Sequence, residues 1–216
     1  MIRVNKAAEI PASLLVENCN HYDGQDVQET LYSDQYGKCY LCEQETHKTF
    51  QIEHLKPKDE GYFPELKYEW TNLFLSCGYC NGRKPNNLEI LNPLKVNIED
   101  VITHKFDINL GKIEFLSNSD DPTILQTIKL LSILFNGKSN IRDIKGKILF
   151  DDLNREILNF LKMLIQYKSN PNEGNKQIII DLLHISKEFL GFKYWMIKDS
   201  GMYDPFKEYM VWNKTA

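Results

Sequence analysis

The sequence predicts an α+β protein: a cysteine-rich first part, in which short strands and loops gather around a metal, followed by a mainly α-helical second part. Three observations predict it. Four of the five cysteines fall in two Cys-x-x-Cys pairs, Cys39/Cys42 and Cys77/Cys80. Short strand-like runs lie between and just after those pairs, and apolar residues recur at helical spacing beyond residue 122. Charge follows the same division, with a net −8 on residues 1–122 and +4 on residues 123–216, leaving −4 over 216 residues. A chain of this length that is 42% hydrophobic and 26% charged buries a core without disulfides, which excludes wholesale disorder and a fibrous repeat. Its weakly acidic balance offers a polyanion no general attraction, so any nucleic-acid contact must be local.

Taken in order, the opening Met1-Ile2-Arg3-Val4-Asn5-Lys6 lacks the apolar centre of a leader, and no stretch approaches the ~20 apolar residues of a membrane span. A soluble, cytoplasmic chain with no membrane partner is expected. In a reducing compartment paired thiols are metal ligands or redox groups more often than disulfides. Tyr36-Gly37-Lys38-Cys39-Tyr40-Leu41-Cys42-Glu43 places two thiols on one tight turn, and Ser76-Cys77-Gly78-Tyr79-Cys80-Asn81 supplies two more after an interval of 34 residues. Four thiolates match tetrahedral zinc, and a site filled by thiolates is closed, hence structural. A redox dithiol is the weaker alternative, because neither pair stands in a thioredoxin-like context. Cys19, outside both pairs, reads as a spare thiol.

Inside the interval, Phe50-Gln51-Ile52-Glu53-His54-Leu55-Lys56-Pro57-Lys58 reads as a strand that delivers an acid and an imidazole side by side. Adjacent strand residues face opposite ways, so the two converge on one substrate only if the strand bends, and Pro57 makes a bend plausible. His47 lies in a polar run and reads as an exposed loop residue; His21, His104 and His184 have no partner visible in sequence. His104 to Phe115 alternates around Asn109-Leu110-Gly111 as a hairpin. Asp120-Asp121-Pro122-Thr123 starts a helix that ends near Asn136-Gly137. A second apolar stripe, Leu153, Ile157, Phe160, Leu161, Leu164 and Ile165, follows Asp151-Asp152 and stops at Ser169-Asn170-Pro171, and a third helix is predicted roughly over residues 176–198. Its aromatics Phe189, Phe192, Tyr194 and Trp195 read as core rather than as a base-stacking platform.

Cys39-x-x-Cys42, Glu53-His54, Asn72-Leu73, Cys77-x-x-Cys80-Asn81 and Arg83-Lys84, in that order, closely resemble the HNH endonucleases, over about residues 36–87. The resemblance implies a treble-clef-like, zinc-stabilised ββα-metal core. It also implies that His54 is the general base, that Glu53 and Asn81 hold a catalytic Mg²⁺ or Mn²⁺, and that Asn72 orients the hairpin. The final histidine of the family name is Asn81 here. Neutral histidine, with an ordinary pKa of about 6.5, suits taking a proton from the attacking water. Hard oxygen ligands leave a divalent cation open positions for phosphate. Lys56, Lys58, Arg83 and Lys84 flank these residues and are expected to hold phosphates on either side of the cut. Segment 36–87 carries seven Lys/Arg and seven Asp/Glu, so any attraction comes from arrangement and from the metal.

The opening residues with Pro11 and Leu14, the run from Leu31 to Glu43, the hairpin after Leu91-Asn92-Pro93-Leu94 and the helical second half also resemble the HNH subunits of Septu-type anti-phage systems, the PtuB group, some of which are retron-associated. That resemblance implies a partner ATPase of the PtuA kind, contacted through residues 123–216, with residues 1–122 as the nuclease region. DNA is the default substrate, with structured RNA such as tRNA as the alternative. The competing class is a zinc-ribbon module that binds nucleic acid or protein and cuts nothing; Glu53-His54 together with Asn81 disfavours it.

Overall fold

The structure is a computed structural model, and it describes residues 1–17, 19–46 and 49–212. The first helix, α1 (Gln25–Asp34), buries Val27 and Leu31, one turn apart, against Leu14, Trp70, Leu73 and Leu75 in a small core. The chain then reverses through Tyr36 and Gly37, both at positive φ (54° and 66°), into the first cysteine turn. Strand β1 (Phe50–His54) pairs antiparallel with β2 (Leu73–Cys77), Phe50 opposite Cys77 and His54 opposite Leu73.

Period-two alternation gives this hairpin two different faces. Leu73 and Leu75 of β2, with Phe50 and Ile52 of β1, pack toward α1, whereas Phe74 enters the large core that holds Tyr40 and Leu41. Being covered on both sides explains why four consecutive β2 residues, Leu73 to Ser76, are buried and apolar or hydrogen-bonded. The strand runs directly into a one-turn helix, α2 (Gly78–Asn81), whose first turn is capped by Cys77.

Beyond the short helix α3 (Ile98–Val101), the expected hairpin forms as β3 (Thr103–Asp107) and β4 (Lys112–Leu116), with Gly111 in the left-handed conformation at its turn (φ 59°). Helix α4 (Pro122–Asn136) starts where Asp121 accepts hydrogen bonds from the Thr123 and Ile124 amides and stops at Gly137, φ 80°.

Two helices differ from the sequence expectation. Helix α5 runs from Ile144 to Ser169, starting a full two turns before Asp151-Asp152. Its first turns present Ile144 and Ile148 to solvent, so the apolar stripe is silent there, and the start is set by Asp143, which caps Gly146. The single helix expected over 176–198 is two, α6 (Glu173–Leu182) and α7 (Leu190–Asp199), broken where Phe189 takes a left-handed φ of 54°. Phe189, Phe192 and Tyr194 are buried, as core residues.

The two halves of the sequence share one core. The largest cluster joins Cys39, Leu41 and Phe74 to Leu130, Leu134, Phe135 and Phe192, with the rings of Phe115, Phe135 and Phe192 packed 5.5–5.7 Å apart. A second cluster joins Phe160, Leu164, Ile179, Tyr194 and Ile197 to Ile2. The change of texture at residue 122 therefore marks a change of element type within one packed body, with short two-stranded sheets giving way to helices. Among the described residues, no helix is long and apolar enough to cross a membrane.

Candidate active site

The four paired cysteines converge although 34 residues separate the pairs. Their Sγ atoms all lie within 4.8 Å of one another, and Cys42 and Cys77 are 4.0 Å apart. A tetrahedral zinc with Zn–S bonds of about 2.3 Å places its sulfurs about 3.8 Å apart, so the cluster fits that ion. Cys39, Cys42 and Cys80 are buried, and burial pushes the Cys80 thiol well up. A doubly charged cation is what makes four thiolates tolerable in such a place. Among the described residues this is the group of acidic, cysteine or histidine side chains arranged to hold a metal.

Glu53 and His54 leave β1 in opposite directions, as alternation dictates. Glu53 faces the cysteine turn: the Tyr40 hydroxyl donates to its Oε2 at 2.6 Å and the Lys84 ammonium to its Oε1 at 3.0 Å. Burial pushes the Glu53 carboxyl up, against the pull of Lys84 and Tyr40. Lys84 also donates to the His54 carbonyl at 2.9 Å, and its side chain is 2% exposed. Lys84 thus stands inside the hairpin as the counter-cation of Glu53, away from the surface where a phosphate-holding lysine was expected.

His54 faces the other way. Its Nε2 lies 2.9 Å from the Lys67 carbonyl, and its ring and that of Tyr22 meet edge to face with centroids 4.7 Å apart. A carbonyl only accepts, so Nε2 carries the proton and donates, and Nδ1 is left with the lone pair. Burial lowers the imidazole to about 4, opposed by the Lys67 carbonyl and reinforced by the Lys58 charge, so it is neutral at ordinary pH.

Asn72 is buried and spends its amide on backbone. Its Oδ1 accepts from Lys56 N at 2.8 Å, while its Nδ2 donates to the carbonyls of Lys56 (3.0 Å) and Leu66 (3.1 Å). It therefore ties down both ends of the segment joining the strands, including the stretch that presents the Lys67 carbonyl to His54. Asn81, at the end of α2, donates to Gln51 Oε1 at 2.7 Å. Gln51 and Glu53 are two apart on β1, so Asn81 lies over the face from which Glu53 projects and not over the His54 face.

The remaining cations differ in freedom. Arg83 is ion-paired to Asp143 and lies over the Tyr79 ring at 3.9 Å. Lys58 sits over the Tyr22 ring at 3.7 Å, which places its charge beside the imidazole. The Lys56 side chain is 41% exposed, 3.6 Å from Glu89. His47 lies outside the described residues. A carboxylate and an amide oxygen on one face are hard donors that suit a small divalent cation, and the cost of burying Glu53 is the kind a cation relieves.

Sequence reading missed Tyr40, Tyr22 and Gln51 as partners of the expected site residues. Tyr40 had one visible signal, its place between two metal ligands. Tyr22 and Gln51 had none, since only the folded hairpin brings them to His54 and Asn81.

Residues 39–87 match the HNH endonuclease family. Over 189 residues the chain is 28% identical to the Septu protein PtuB of Bacillus thuringiensis, an alignment covering 86% of this chain and 62% of that protein. The chain thus spans less than two thirds of that relative's length. The stretch that matches the HNH endonuclease family, residues 39–87, is the one that holds the cluster of four cysteines.

Proposed function

We propose that the chain is a metal-dependent endonuclease that hydrolyses phosphodiester bonds, acting on DNA as the nuclease effector of an anti-phage system together with a partner ATPase of the PtuA kind. One observation carries the chemical part: a buried imidazole held neutral, with Nε2 committed to a carbonyl and Nδ1 carrying the lone pair, at the end of a strand in the segment that matches HNH endonucleases. The defence role and the partner rest on likeness to the Septu protein PtuB.

In this reading His54 Nδ1 takes a proton from the attacking water, and the Lys67 carbonyl holds the ring in the required direction throughout. Asn72 donates to the Leu66 carbonyl, one residue before Lys67, and through its two bonds to Lys56 ties that stretch to the end of β1. Glu53 and Asn81 would hold Mg²⁺ or Mn²⁺ on the face of β1 opposite the imidazole, so one phosphate is served by both only where the end of the strand bends around bound substrate; the ion would there supply charge stabilisation to the phosphate under attack and to its leaving oxygen. Lys84 keeps the Glu53 carboxylate ionised and aimed. Lys56 and Lys58, with part of their side chains in solvent, would hold the strand beside the cut. The cysteine cluster holds structural zinc and takes no part in bond cleavage.

The test is cleavage of a matched set of substrates, duplex DNA, branched DNA and tRNA, by the chain alone and by the chain with the ATPase encoded beside it, in the presence of Mg²⁺ or Mn²⁺. Divalent-dependent cutting of DNA is expected. Cutting of tRNA with DNA untouched would reverse the substrate choice, and no cutting by either preparation would leave the zinc-binding module as the better reading.

A further inference from the structure

Tyr40 belongs to the zinc turn and to the catalytic hairpin at once. It lies between Cys39 and Cys42, and its amide donates to the Leu75 carbonyl at 3.0 Å. Its ring stacks on Phe74 at 4.8 Å with planes 28° apart, and the residue is 3% exposed. Its hydroxyl donates to Glu53 Oε2 at 2.6 Å. Backbone, ring and hydroxyl are each fixed by a different neighbour, and Cys39 and Cys42 on either side are residues that a bound zinc would fix. The other Glu53 oxygen is taken by Lys84, so the carboxylate plane is set from both ends.

We propose that Tyr40 is a positioning residue for the divalent-cation site: the zinc turn holds its hydroxyl on Glu53 Oε2, and this hydrogen bond determines which lone pairs the carboxylate presents to the cation. The zinc cluster thereby acts on the catalytic site through one named side chain. A carboxylate that ligates a metal is characteristically oriented by a hydrogen-bond donor behind it, and removing such a donor weakens the metal about 10–100-fold. A buried carboxylate is also a rotor about its last bond; Tyr40 holds one oxygen from inside the first cysteine turn, and Lys84, whose amide donates to the Cys80 carbonyl at 3.1 Å, holds the other from beside the second. This proposal rests on the reading of Glu53 as a ligand of that cation.

The test is Tyr40→Phe, which keeps the ring stack and removes the hydroxyl. The readouts are zinc content by metal analysis, Mn²⁺ affinity by titration calorimetry, and the Mn²⁺ dependence of cleavage. Zinc content is expected unchanged, Mn²⁺ affinity weakened by about tenfold or more, and cleavage partly restored by raising Mn²⁺. A merely structural tyrosine would lower stability and leave the Mn²⁺ affinity alone. Wild-type affinity in Tyr40→Phe, with Glu53→Gln weakened, overturns the role of Tyr40 and leaves Glu53 a ligand. Wild-type affinity in Glu53→Gln overturns the ligand assignment and this proposal with it. Should Tyr40→Phe not fold, the wild-type chain with cadmium in place of zinc answers by cadmium NMR. Its resonance is expected to shift as Mg²⁺ is added, and an unmoved resonance at saturating Mg²⁺ overturns the coupling.

Discussion

Replacing Lys84 by Met removes the buried cation of the hairpin while keeping most of its side-chain volume. The ammonium makes two charge-assisted hydrogen bonds, to Glu53 Oε1 at 3.0 Å and to the His54 carbonyl at 2.9 Å. Such bonds contribute about 1.5–3 kcal/mol each, or about 3–6 kcal/mol together. Breaking a buried ion pair from one side independently costs about 3–5 kcal/mol, because the partner charge stays behind uncompensated. The side chains of Lys84 and Glu53 are 2% and 8% exposed, so little solvent screening reduces that figure. A loss of about 4 kcal/mol is a large share of a domain's stability of about 5–15 kcal/mol, and it lowers a urea midpoint by roughly 2 M at a slope of about 2 kcal/mol/M. Urea unfolding followed by tryptophan fluorescence on zinc-loaded protein measures it. The double variant Glu53→Gln, Lys84→Met is expected to regain at least about 1 kcal/mol, since the abandoned charge is gone. A Lys84→Met loss below about 1 kcal/mol, with no recovery in the double variant, would refute the placement of Lys84 as the counter-cation of Glu53.

Other outcomes follow from the same geometry. Asn72→Ala strands three partly buried backbone groups and should cost about 1–3 kcal/mol in urea unfolding, with cleavage falling more than binding because the stretch that carries the Lys67 carbonyl loses its tie at Leu66. Equal losses in kcat and in substrate affinity would contradict that role. Chelating the cysteine-bound metal under reducing conditions should abolish the cooperative near-UV transition of the hairpin region; a transition unchanged in metal-free protein would contradict the structural assignment of the cluster. His104 is held neutral by burial next to the Met1 amine, which together push it down to about 3, while the Glu43 carboxylate pulls the other way. Its folded value lies below the unfolded value of about 6.5, so the unfolded chain binds the extra proton and stability falls as pH drops from about 6.5 toward 3, by up to about 1.4 kcal/mol per pH unit. The difference in stability between wild type and His104→Phe isolates this contribution from Glu99, which burial pushes up to about 7 and which therefore acts with the opposite sign. A difference independent of pH between 4 and 6 would contradict it.

The parts of this molecule legible in the sequence are those with local, redundant signals. The helix α4 carried a cap, a first-turn proline, an apolar stripe and a terminal glycine, and it forms between those marks. The hairpin β3–β4 had its alternation and its turn glycine. The cysteine pairs announced a metal because two short turns with two thiols each have few other uses. What failed to show was decided over long range or by a single backbone angle. The left-handed Phe189 that separates α6 from α7 is fully buried in the large core, and nothing in its neighbourhood of the sequence marks a break. The opposite directions of Glu53 and His54 followed from strand alternation, but their partners, Tyr40, Lys84, Tyr22 and the Lys67 carbonyl, come from four other segments. Lys84 looked like any basic residue beside a motif; only its burial distinguishes a charge that holds the site together from one that meets substrate.

The proposed role of His54 as the base in a metal-dependent phosphodiester hydrolysis is decided by the cleavage rate of His54→Ala, with its zinc content and unfolding midpoint verified. A rate lower by at least about 10²-fold at saturating Mn²⁺ is expected, with Mn²⁺ affinity retained because the imidazole faces away from Glu53 and Asn81. A folded, zinc-loaded His54→Ala protein cutting at the wild-type rate would contradict it.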